Sequence, residues 1–300
     1  MPIDPNAETG EQQLIPPRPL SSQVQVDLGA LSHQGLVRPN NEDCYLIARF
    51  DRALQTLMTN LPAGQVPGRV EEIGYGMLVA DGIGGMAGGE IASSLAASTL
   101  VNLALTMSDW IMRLNGEEIE RLMLRLADLY RVVDKTLRDK ARADPKLSGM
   151  GTTMTLACSL GADLVLAHTG DSRVYLLRAG TLRQLTRDHT IAQAMADAGE
   201  ILPEEVRTHR GRHILTRALG GTMDPVEADV DHFHLSDGDQ VLLCTDGLSE
   251  MVEDETIGAI LGKAATPAAA CQALIDAALQ NGAKDNVTVA VARYRFVLGP

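Results

Sequence analysis

The chain has 300 residues, with 26 Lys or Arg against 39 Asp or Glu, a formal net charge of −13 and an isoelectric point near 4.9. This acidity argues against nucleic acid as a partner, because binding to a phosphate backbone needs clustered Lys and Arg. It also argues against attraction to an anionic membrane surface. The hydrophobic share of 45% is sufficient for a sizeable core in a domain of this length.

The N-terminal stretch is rich in proline and poor in large apolar side chains. Residues 1–22 contain five prolines, so we expect a disordered leader followed by a single domain at 23–297. The stretch lacks the basic and apolar regions of a secretory signal. The four cysteines have neither metal-ligand nor disulfide-framework spacing, and we therefore expect a reduced, cytoplasmic protein.

From residue 24 onward, short β-type runs are separated by helical segments. Helices are predicted at Glu90–Met107, at Glu117–Ala143, where apolar residues recur every three or four positions, and at about Thr266–Gln280. The predicted strands are Tyr45–Phe50, Tyr75–Ala80, Thr152–Ser159, Leu164–Thr169, Arg173–Arg178, Gln240–Thr245 and Val287–Tyr294. Because the strands come in runs, the pattern favours an α+β fold over a doubly wound parallel sheet.

Two polar stretches between predicted strands are longer than ordinary connections. Asp51–Ile73 contains two prolines and two glycines, which favour turns. Asp188–Leu215 separates one predicted strand from the next apolar run. Long connections of this kind are frequently functional.

Acidic residues stand at the ends of five predicted strands. Each alone is more simply explained as a turn residue, because Asp forms local hydrogen bonds in turns. Together they are harder to explain in that way, since strand ends in one sheet or sandwich can converge. The six residues are Glu42, Asp43, Asp81, Asp171, Asp246 and Asp285.

Carboxylates crowded in this way need a compensating charge, because like charges a few Å apart resist ionisation. A hard divalent cation is the usual solution, and an all-oxygen site selects Mg²⁺ or Mn²⁺ over Zn²⁺. Two such ions activate water and bind phosphoryl oxygens. Arg38 lies four residues before Glu42, and a guanidinium pairs bidentately with phosphate. The pattern predicts metal-assisted hydrolysis of a phosphoester.

A glycine-rich segment at residues 82–87 fits the loose dinucleotide-binding pattern between a strand and a helix. Asp81 directly precedes it and would repel a pyrophosphate, and no acidic residue ends a second strand about 20 positions later, as a ribose contact requires. We therefore interpret these glycines as a tight turn that brings backbone carbonyls close to a metal.

Seven short motifs in order resemble the metal-dependent serine/threonine protein phosphatases of type 2C, in their bacterial form. The resemblance covers about residues 24–295. The motifs are Arg38–Asp43, Val79–Gly85, Ser148–Thr153, Thr169–Arg173, Leu215–Gly220, Cys244–Gly247 and Lys284–Asn286.

This resemblance implies an αββα four-layer sandwich, with two mainly antiparallel sheets flanked by helices and a dinuclear Mn²⁺ or Mg²⁺ site at one end. It implies that Asp81, Asp246, Asp285 and the Gly82 carbonyl ligate the two core ions, with Glu42 and Asp43 acting directly or through water. Asp171 with Asp246 would hold the weaker third ion of bacterial members. Arg38 would bind the substrate phosphate. A metal-bridging hydroxide would attack phosphorus in line, without a phosphoenzyme.

The resemblance also places a flap beside the active site at about residues 188–215. Four arginines near its end and no acidic residue at 206–219 suggest electrostatic capture of a phosphorylated segment by an otherwise repulsive protein; the alternative is a solvated face. These arginines are Arg207, Arg210, Arg212 and Arg217.

One position departs from the pattern of many eukaryotic members, which carry a His where this chain has Ile83. Isoleucine cannot transfer a proton, so we expect a metal-bound water to protonate the leaving group.

The resulting hypothesis is a monomeric cytoplasmic signalling enzyme that dephosphorylates Ser and Thr in proteins and opposes Ser/Thr kinases. The alternatives are a non-catalytic phosphoprotein-binding scaffold on the same fold and a small-molecule phosphomonoesterase.

Overall fold

The computed structural model describes residues 21–58, 60, 68–84, 88–106, 116–221 and 226–297. The predicted leader therefore lies outside the described residues except at its end. There, Ser21–Gln23 form a 3-10 turn, and the Ser21 hydroxyl is buried against the Glu72 carboxylate. The folded domain thus includes at least two residues of the stretch that was predicted to be disordered.

Two five-stranded antiparallel sheets form the centre of the molecule, and three short strands form a separate third sheet. The first sheet contains, in spatial order, β1 (Val24–His33), β13 (Val287–Phe296), β12 (Gln240–Cys244), β8 (Arg173–Arg178) and β9 (Thr181–Gln184). The second contains β11 (Asp229–His234), β7 (Asp163–Thr169), β6 (Met154–Leu160), β3 (Arg69–Ala80) and β2 (Cys44–Gln55). The third contains β10 (Leu219–Gly220), β5 (Gly151–Thr152) and β4 (Gly82–Ile83).

Six helices complete the described fold. They are α1 (Gly88–Leu105), α2 (Gly116–Ala143), α3 (Ile191–Asp197), α4 (Asp246–Ser249), α5 (Asp254–Lys263) and α6 (Pro267–Gln280). The three predicted helices correspond to α1, α2 and α6. No helix in the described part of the chain combines the length and apolarity that crossing a bilayer requires.

The alternation of side chains along each strand builds four layers, because successive residues of a strand point to opposite faces. In β12, Val241 and Leu243 pack between the two sheets, whereas Leu242 and Cys244 pack beneath α5 and α6. On the other side, a third cluster joins the second sheet to α1 and α2. The predicted αββα sandwich is thereby confirmed.

All seven predicted strands are present, whereas β1, β9, β11 and the two-residue strands β4 and β10 were not predicted. β1, β9 and β11 carry many polar or small side chains, and their apolar faces are only partly buried. Their pairing partners in the neighbouring strands stabilise them, so local sequence alone under-predicts them.

The segment predicted as an insertion at Asp51–Ile73 is largely a continuation of the β2–β3 hairpin. The two strands pair without interruption from Cys44–Ala80 to Gln55–Arg69. Residues 59 and 61–67 of this stretch lie outside the described part. The alternation of apolar residues is weak where the hairpin extends beyond the core. For this reason the strands predicted from the sequence were too short.

The close packing of α6 on β1 leaves no room for a side chain at Gly29. A Cβ atom there would lie 2.6 Å from the Ala268 backbone nitrogen. We predict that Gly29→Ala lowers the free energy of unfolding by about 2 kcal/mol, because overpacking forces backbone shifts. Gly262→Ala in α5 is the matched control: no atom lies within 4 Å of its Cβ position, so alanine should be neutral or slightly stabilising. Urea unfolding of both variants tests this, and equal stability would contradict the packing argument.

Candidate metal centre

The antiparallel topology brings all six predicted acidic residues to one end of the sandwich. Asp81 follows β3 and Glu42 and Asp43 precede β2, and the end of β3 pairs with the start of β2. Asp246 follows β12 and Asp285 precedes β13, which pair in the same way. Asp171 follows β7 and lies just before β8, which pairs with β12. In antiparallel neighbours, the end of one strand lies beside the start of the next, so these six residues lie at the same end of the sandwich.

Threonine hydroxyls position the two acidic residues at the centre of this group. The Asp81 backbone N–H donates to the Thr153 hydroxyl at 2.9 Å, and the Thr152 hydroxyl donates to the Asp81 carbonyl at 2.8 Å. The Thr245 hydroxyl donates to Asp43 Oδ2 at 2.9 Å. The motif at Ser148–Thr153 thus acts through its threonines, which hold the end of β3 in place.

Asn286 connects the loop that carries Glu42 to the loop that carries Asp285. Its side-chain oxygen accepts from the Glu42 N–H, and its Nδ2 donates to the carbonyls of Gln34 and Asn40, all at 2.8 Å. Gly247 approaches it closely, since a Cβ at position 247 would lie 1.9 Å from the Asn286 carbonyl oxygen. The residue beside Asp246 must therefore be glycine.

The glycines after Asp81 serve close packing within the site. A Cβ at Gly82 would lie 2.2 Å from the Gly89 carbonyl oxygen and 2.8 Å from that of Glu42. This contact brings the start of α1 against the loop before β2. It supports the interpretation of a tight turn, although Gly85 and Ala87 of the glycine-rich segment lie outside the described residues.

Burial and mutual repulsion raise the pKa values of these carboxyl groups. Burial raises the pKa of Asp43 to about 6 and that of Asp171 to about 7. For Asp81 and Asp246, burial and the neighbouring carboxylates raise the pKa well above its ordinary value. Burial also raises the pKa of Glu42, while Arg38 opposes this shift. The site is therefore unfavourable for several negative charges unless a cation is present.

Among the residues that the structure describes, two buried carboxylate oxygens have no hydrogen-bond partner. They are Asp43 Oδ1 and Asp246 Oδ1. A buried unpaired oxygen is costly, and a divalent cation would satisfy both atoms. Within the described chain, no three Asp, Glu, His or Cys side chains are arranged to hold one ion by themselves. The donor set thus fits hard divalent ions that keep part of their water shell, as Mg²⁺ characteristically does.

Arg38 lies at the rim of the acidic group with its side chain about half exposed. Its Nη2 donates to Asp285 Oδ2, and the negative charges of Asp81 and Asp246 also favour its charged form and so raise its pKa. The structure thus places Arg38 against the Asp285 carboxylate.

Two residues near this group were not assigned to it from the sequence. Glu250 repels Asp171 and Asp246, contributing to their raised pKa values, and it lies four residues after Asp246, a spacing that places both on one helical face. His189 binds Gly170, the neighbour of Asp171. The sequence contained a signal for Glu250 in this spacing, but none for His189, which depends on tertiary contacts.

His189 joins both ends of the predicted flap to the turn before Asp171. Its backbone N–H donates to the Gly170 carbonyl at 2.7 Å, and the Gly170 N–H donates to its Nδ1 at 3.1 Å. Its Nε2 must then carry the proton, which it donates to Asp229 Oδ2 at 2.9 Å. Its carbonyl accepts from the Thr216 N–H at 2.8 Å. The hydrogen bond from His189 Nε2, together with the charge of Arg217, lowers the pKa of Asp229 to about 2.

The flap itself is ordered by helical turns and by its contacts with the acidic end. It contains α3 and a 3-10 segment at Pro203–Thr208, and a bridge between Thr190 and Leu215 closes its base. Three of the four arginines in its last part or just after it are paired with acidic residues of other elements. The pairs are Arg207–Glu253 at 2.5 Å, Arg212–Glu250 at 3.2 Å and Arg217–Asp229 at 2.7 Å. Arg210 is exposed.

The comparisons with known proteins agree with this geometry. Residues 69–281 match the family model described as Protein phosphatase 2C. The chain is 38% identical over 264 residues to the serine/threonine protein phosphatase PstP of Mycobacterium tuberculosis, an alignment that covers 88% of this chain and 44% of PstP. The chain thus spans less than half the length of that relative. It is 35% identical over 213 residues to the serine/threonine phosphatase stp of Listeria monocytogenes, covering 71% of this chain and 82% of stp.

Solved structures show the same fold at similar identity. The crystal structure of Mycobacterium tuberculosis PstP superposes with a TM-score of 0.71 at 36% identity and covers 89% of this chain and 98% of the solved chain. A structure of the PstP catalytic domain in complex with two manganese ions gives a TM-score of 0.69 at 35% identity, covering 91% and 99% of the two chains.

The raised carboxyl pKa values predict the pH dependence of stability without metal. Asp43 and Asp171 hold protons in the folded chain up to about pH 6 and 7, whereas in the unfolded chain they release them near pH 4. In EDTA, the free energy of unfolding should therefore fall by on the order of 2 kcal/mol between pH 5.5 and 8. Urea unfolding at both pH values measures this loss, and millimolar Mn²⁺ at pH 8 should reverse it. A metal-free protein that is equally stable at pH 5.5 and 8 would contradict the argument.

The contacts of His189 predict a local effect of its substitution. His189→Leu should speed amide hydrogen exchange at Gly170 and Thr216, because the ring acceptor and the anchor to Asp229 are lost. His189→Asn should keep protection at Gly170, since its side-chain oxygen can replace Nδ1. His234→Asn is the control, because that side chain is exposed and only distantly paired. If all three variants exchange alike at Gly170, then His189 does not hold this turn.

Proposed function

The chain belongs to the protein phosphatase 2C family, and from this premise we propose that it hydrolyses phosphoserine and phosphothreonine in proteins with the help of Mn²⁺ or Mg²⁺. The observation that carries the proposal is the group of six carboxylates with two unpaired buried oxygens beside Arg38. The negative charge of the six carboxylates favours binding of divalent cations, and the bound cations would in turn attract a phosphate dianion.

The carboxylates have distinct places in this proposal. Asp81, Asp246 and Asp285, with the Gly82 carbonyl, would hold two core ions, and Glu42 and Asp43 would act directly or through water. Asp171 with Asp246 would hold a third ion, and Glu250 adds negative charge there. When bound, the ions lower the pKa of water and act as Lewis acids on phosphoryl oxygens. The threonines around Asp81 and Asp43 orient these ligands.

Arg38 is the group of this chain best placed to bind the substrate phosphate. Its bond to Asp285 uses one N–H of Nη2, so the Nε and Nη1 donors remain to bind phosphate oxygens. The contact with Asp285 also orients the side chain before substrate arrives. Ile83 in β4 cannot donate a proton, so this chain supplies no acid at the position of the family's histidine.

Capture of substrate by the flap rests on fewer charges than the sequence suggested. Arg207, Arg212 and Arg217 already neutralise acidic partners and anchor the flap. Arg210 is the exposed flap cation most available to a phosphorylated segment. The proposed capture of substrate therefore depends mainly on Arg210, whereas the other three arginines mainly anchor the flap.

The proposal extends to the biological setting that the family suggests. The chain would act as a monomer in the cytoplasm and oppose Ser/Thr kinases in signalling. The four unpaired cysteines support a reducing compartment.

Two alternatives can be separated by experiment. A non-catalytic phosphoprotein-binding scaffold would have no need to retain the six carboxylates that the fold assembles here. A small-molecule phosphomonoesterase would show a higher kcat/KM for small phosphate esters than for phosphopeptides.

Asp246→Asn provides the direct test of the proposed reaction. The unaltered chain should release phosphate from a phosphothreonine peptide in millimolar Mn²⁺, and the variant should lose at least about 100-fold in kcat, because an oxygen ligand and a charge are removed together. Circular dichroism should show an intact fold. Absence of phosphate release by the unaltered chain would contradict the proposal, and full activity of the variant would place the site elsewhere.

Arg38→Ala should act mainly on substrate binding. Loss of the phosphate contact raises KM for the phosphopeptide about 10-fold or more, with a smaller change in kcat. Arg49→Ala, an exposed arginine in β2 paired only with the nearby Asp51, is the control. An unchanged KM in Arg38→Ala would argue against its role at the phosphate.

A further inference from the structure

Two large apolar side chains stand in solvent immediately before Arg38. Leu36 is 64% exposed and Val37 is 67% exposed. Neither belongs to the three apolar clusters of the described fold. Single exposed apolar residues are common and need no explanation, but these two adjoin the residue that would bind the substrate phosphate.

The backbone that carries them is held firmly, so their exposure is a fixed feature of the site. The Leu36 N–H donates to the Ala283 carbonyl at 2.9 Å, and the Gln34 side chain donates to the Arg38 carbonyl at 2.7 Å. Asn286 binds the Gln34 carbonyl. Gly35, with φ +81°, lies so close to the loop of Asp285 that a Cβ would be 2.2 Å from the Asp285 carbonyl oxygen.

We propose that Leu36 and Val37 bind apolar side chains that flank the phosphorylated residue of the substrate polypeptide. The inference rests on the proposed function and specifies its substrate class: phosphoproteins with Leu, Ile, Val, Met or Phe within about three residues of the phosphate. The range follows from chain geometry. Val37 and Leu36 lie one and two Cα steps of about 3.8 Å from Arg38, and an extended substrate advances about 3.4 Å per residue.

The net charge of the protein disfavours one class of flanking residue. A protein with a net charge of −13 repels acidic flanking residues. Apolar contact adds affinity without depending on charge, because it removes apolar surface of both partners from water. The phosphate then binds at Arg38, while the apolar residues that flank the phosphorylated residue contact Leu36 and Val37. The two contacts therefore form one continuous binding surface.

The test compares three phosphothreonine peptides that differ only in flanking residues: Leu, Ser or Lys. The unaltered chain should hydrolyse the Leu-flanked peptide with kcat/KM about three- to tenfold above the Ser-flanked one, mainly through KM. The double variant Leu36→Gln with Val37→Thr should reduce this ratio to near one. It should leave hydrolysis of p-nitrophenyl phosphate and the thermal midpoint unchanged, since both side chains are exposed.

The matched control makes the same two substitutions elsewhere. Leu124→Gln with Val132→Thr alters exposed positions of α2, and the preference for the Leu-flanked peptide should survive. Equal kcat/KM for Leu- and Ser-flanked peptides, or a preference for the Lys-flanked one, would overturn the apolar contact while leaving the proposed phosphatase activity intact. Failure to hydrolyse all peptides and p-nitrophenyl phosphate would instead contradict the proposed function itself.

Discussion

The crowding of six carboxylates at one end of the sandwich is the constraint on which the rest of the structure depends. Burial and mutual repulsion raise the pKa values of Asp43, Asp81, Asp171 and Asp246, so this end opposes folding when it is fully ionised. The three apolar clusters offset that cost elsewhere in the molecule. A divalent cation would neutralise these carboxylates and so stabilise this end. The same crowded carboxylates therefore account both for the proposed function and for the local instability.

The elements around the acidic end limit how its carboxylates can move. Threonine hydroxyls hold Asp81 and Asp43, and Asn286 ties the loops of Glu42 and Asp285 together. On the flap side, His189 binds both backbone groups of Gly170. A site whose ligands are held in this way can accept ions without large rearrangement, because few side-chain torsions remain to be ordered.

Much of the fold followed from local patterns, and the failures have a common cause. The long helix α2 and the buried strand β8 were predicted with nearly correct bounds, since their apolar periodicity is strong. β11 and the outer part of the β2–β3 hairpin were missed or shortened, because their side chains are mostly polar and their pairing partners stabilise them. The flap arginines were predicted as a free basic surface, but the acidic partners that neutralise three of them come from distant parts of the chain.

The sequence by itself determined the acidic residues at strand ends, the chemistry that their number demands, and the family whose motifs they form. Those features are local, since each depends on which residue follows a strand. Only the tertiary structure decided which carboxylate oxygens remain unpaired, which arginine is available to a substrate, and that Leu36 and Val37 stay exposed beside Arg38. The physical reason is that pairing and burial are properties of neighbours in space, and antiparallel strands bring together residues that are more than 200 positions apart, such as Arg38 and Asp285.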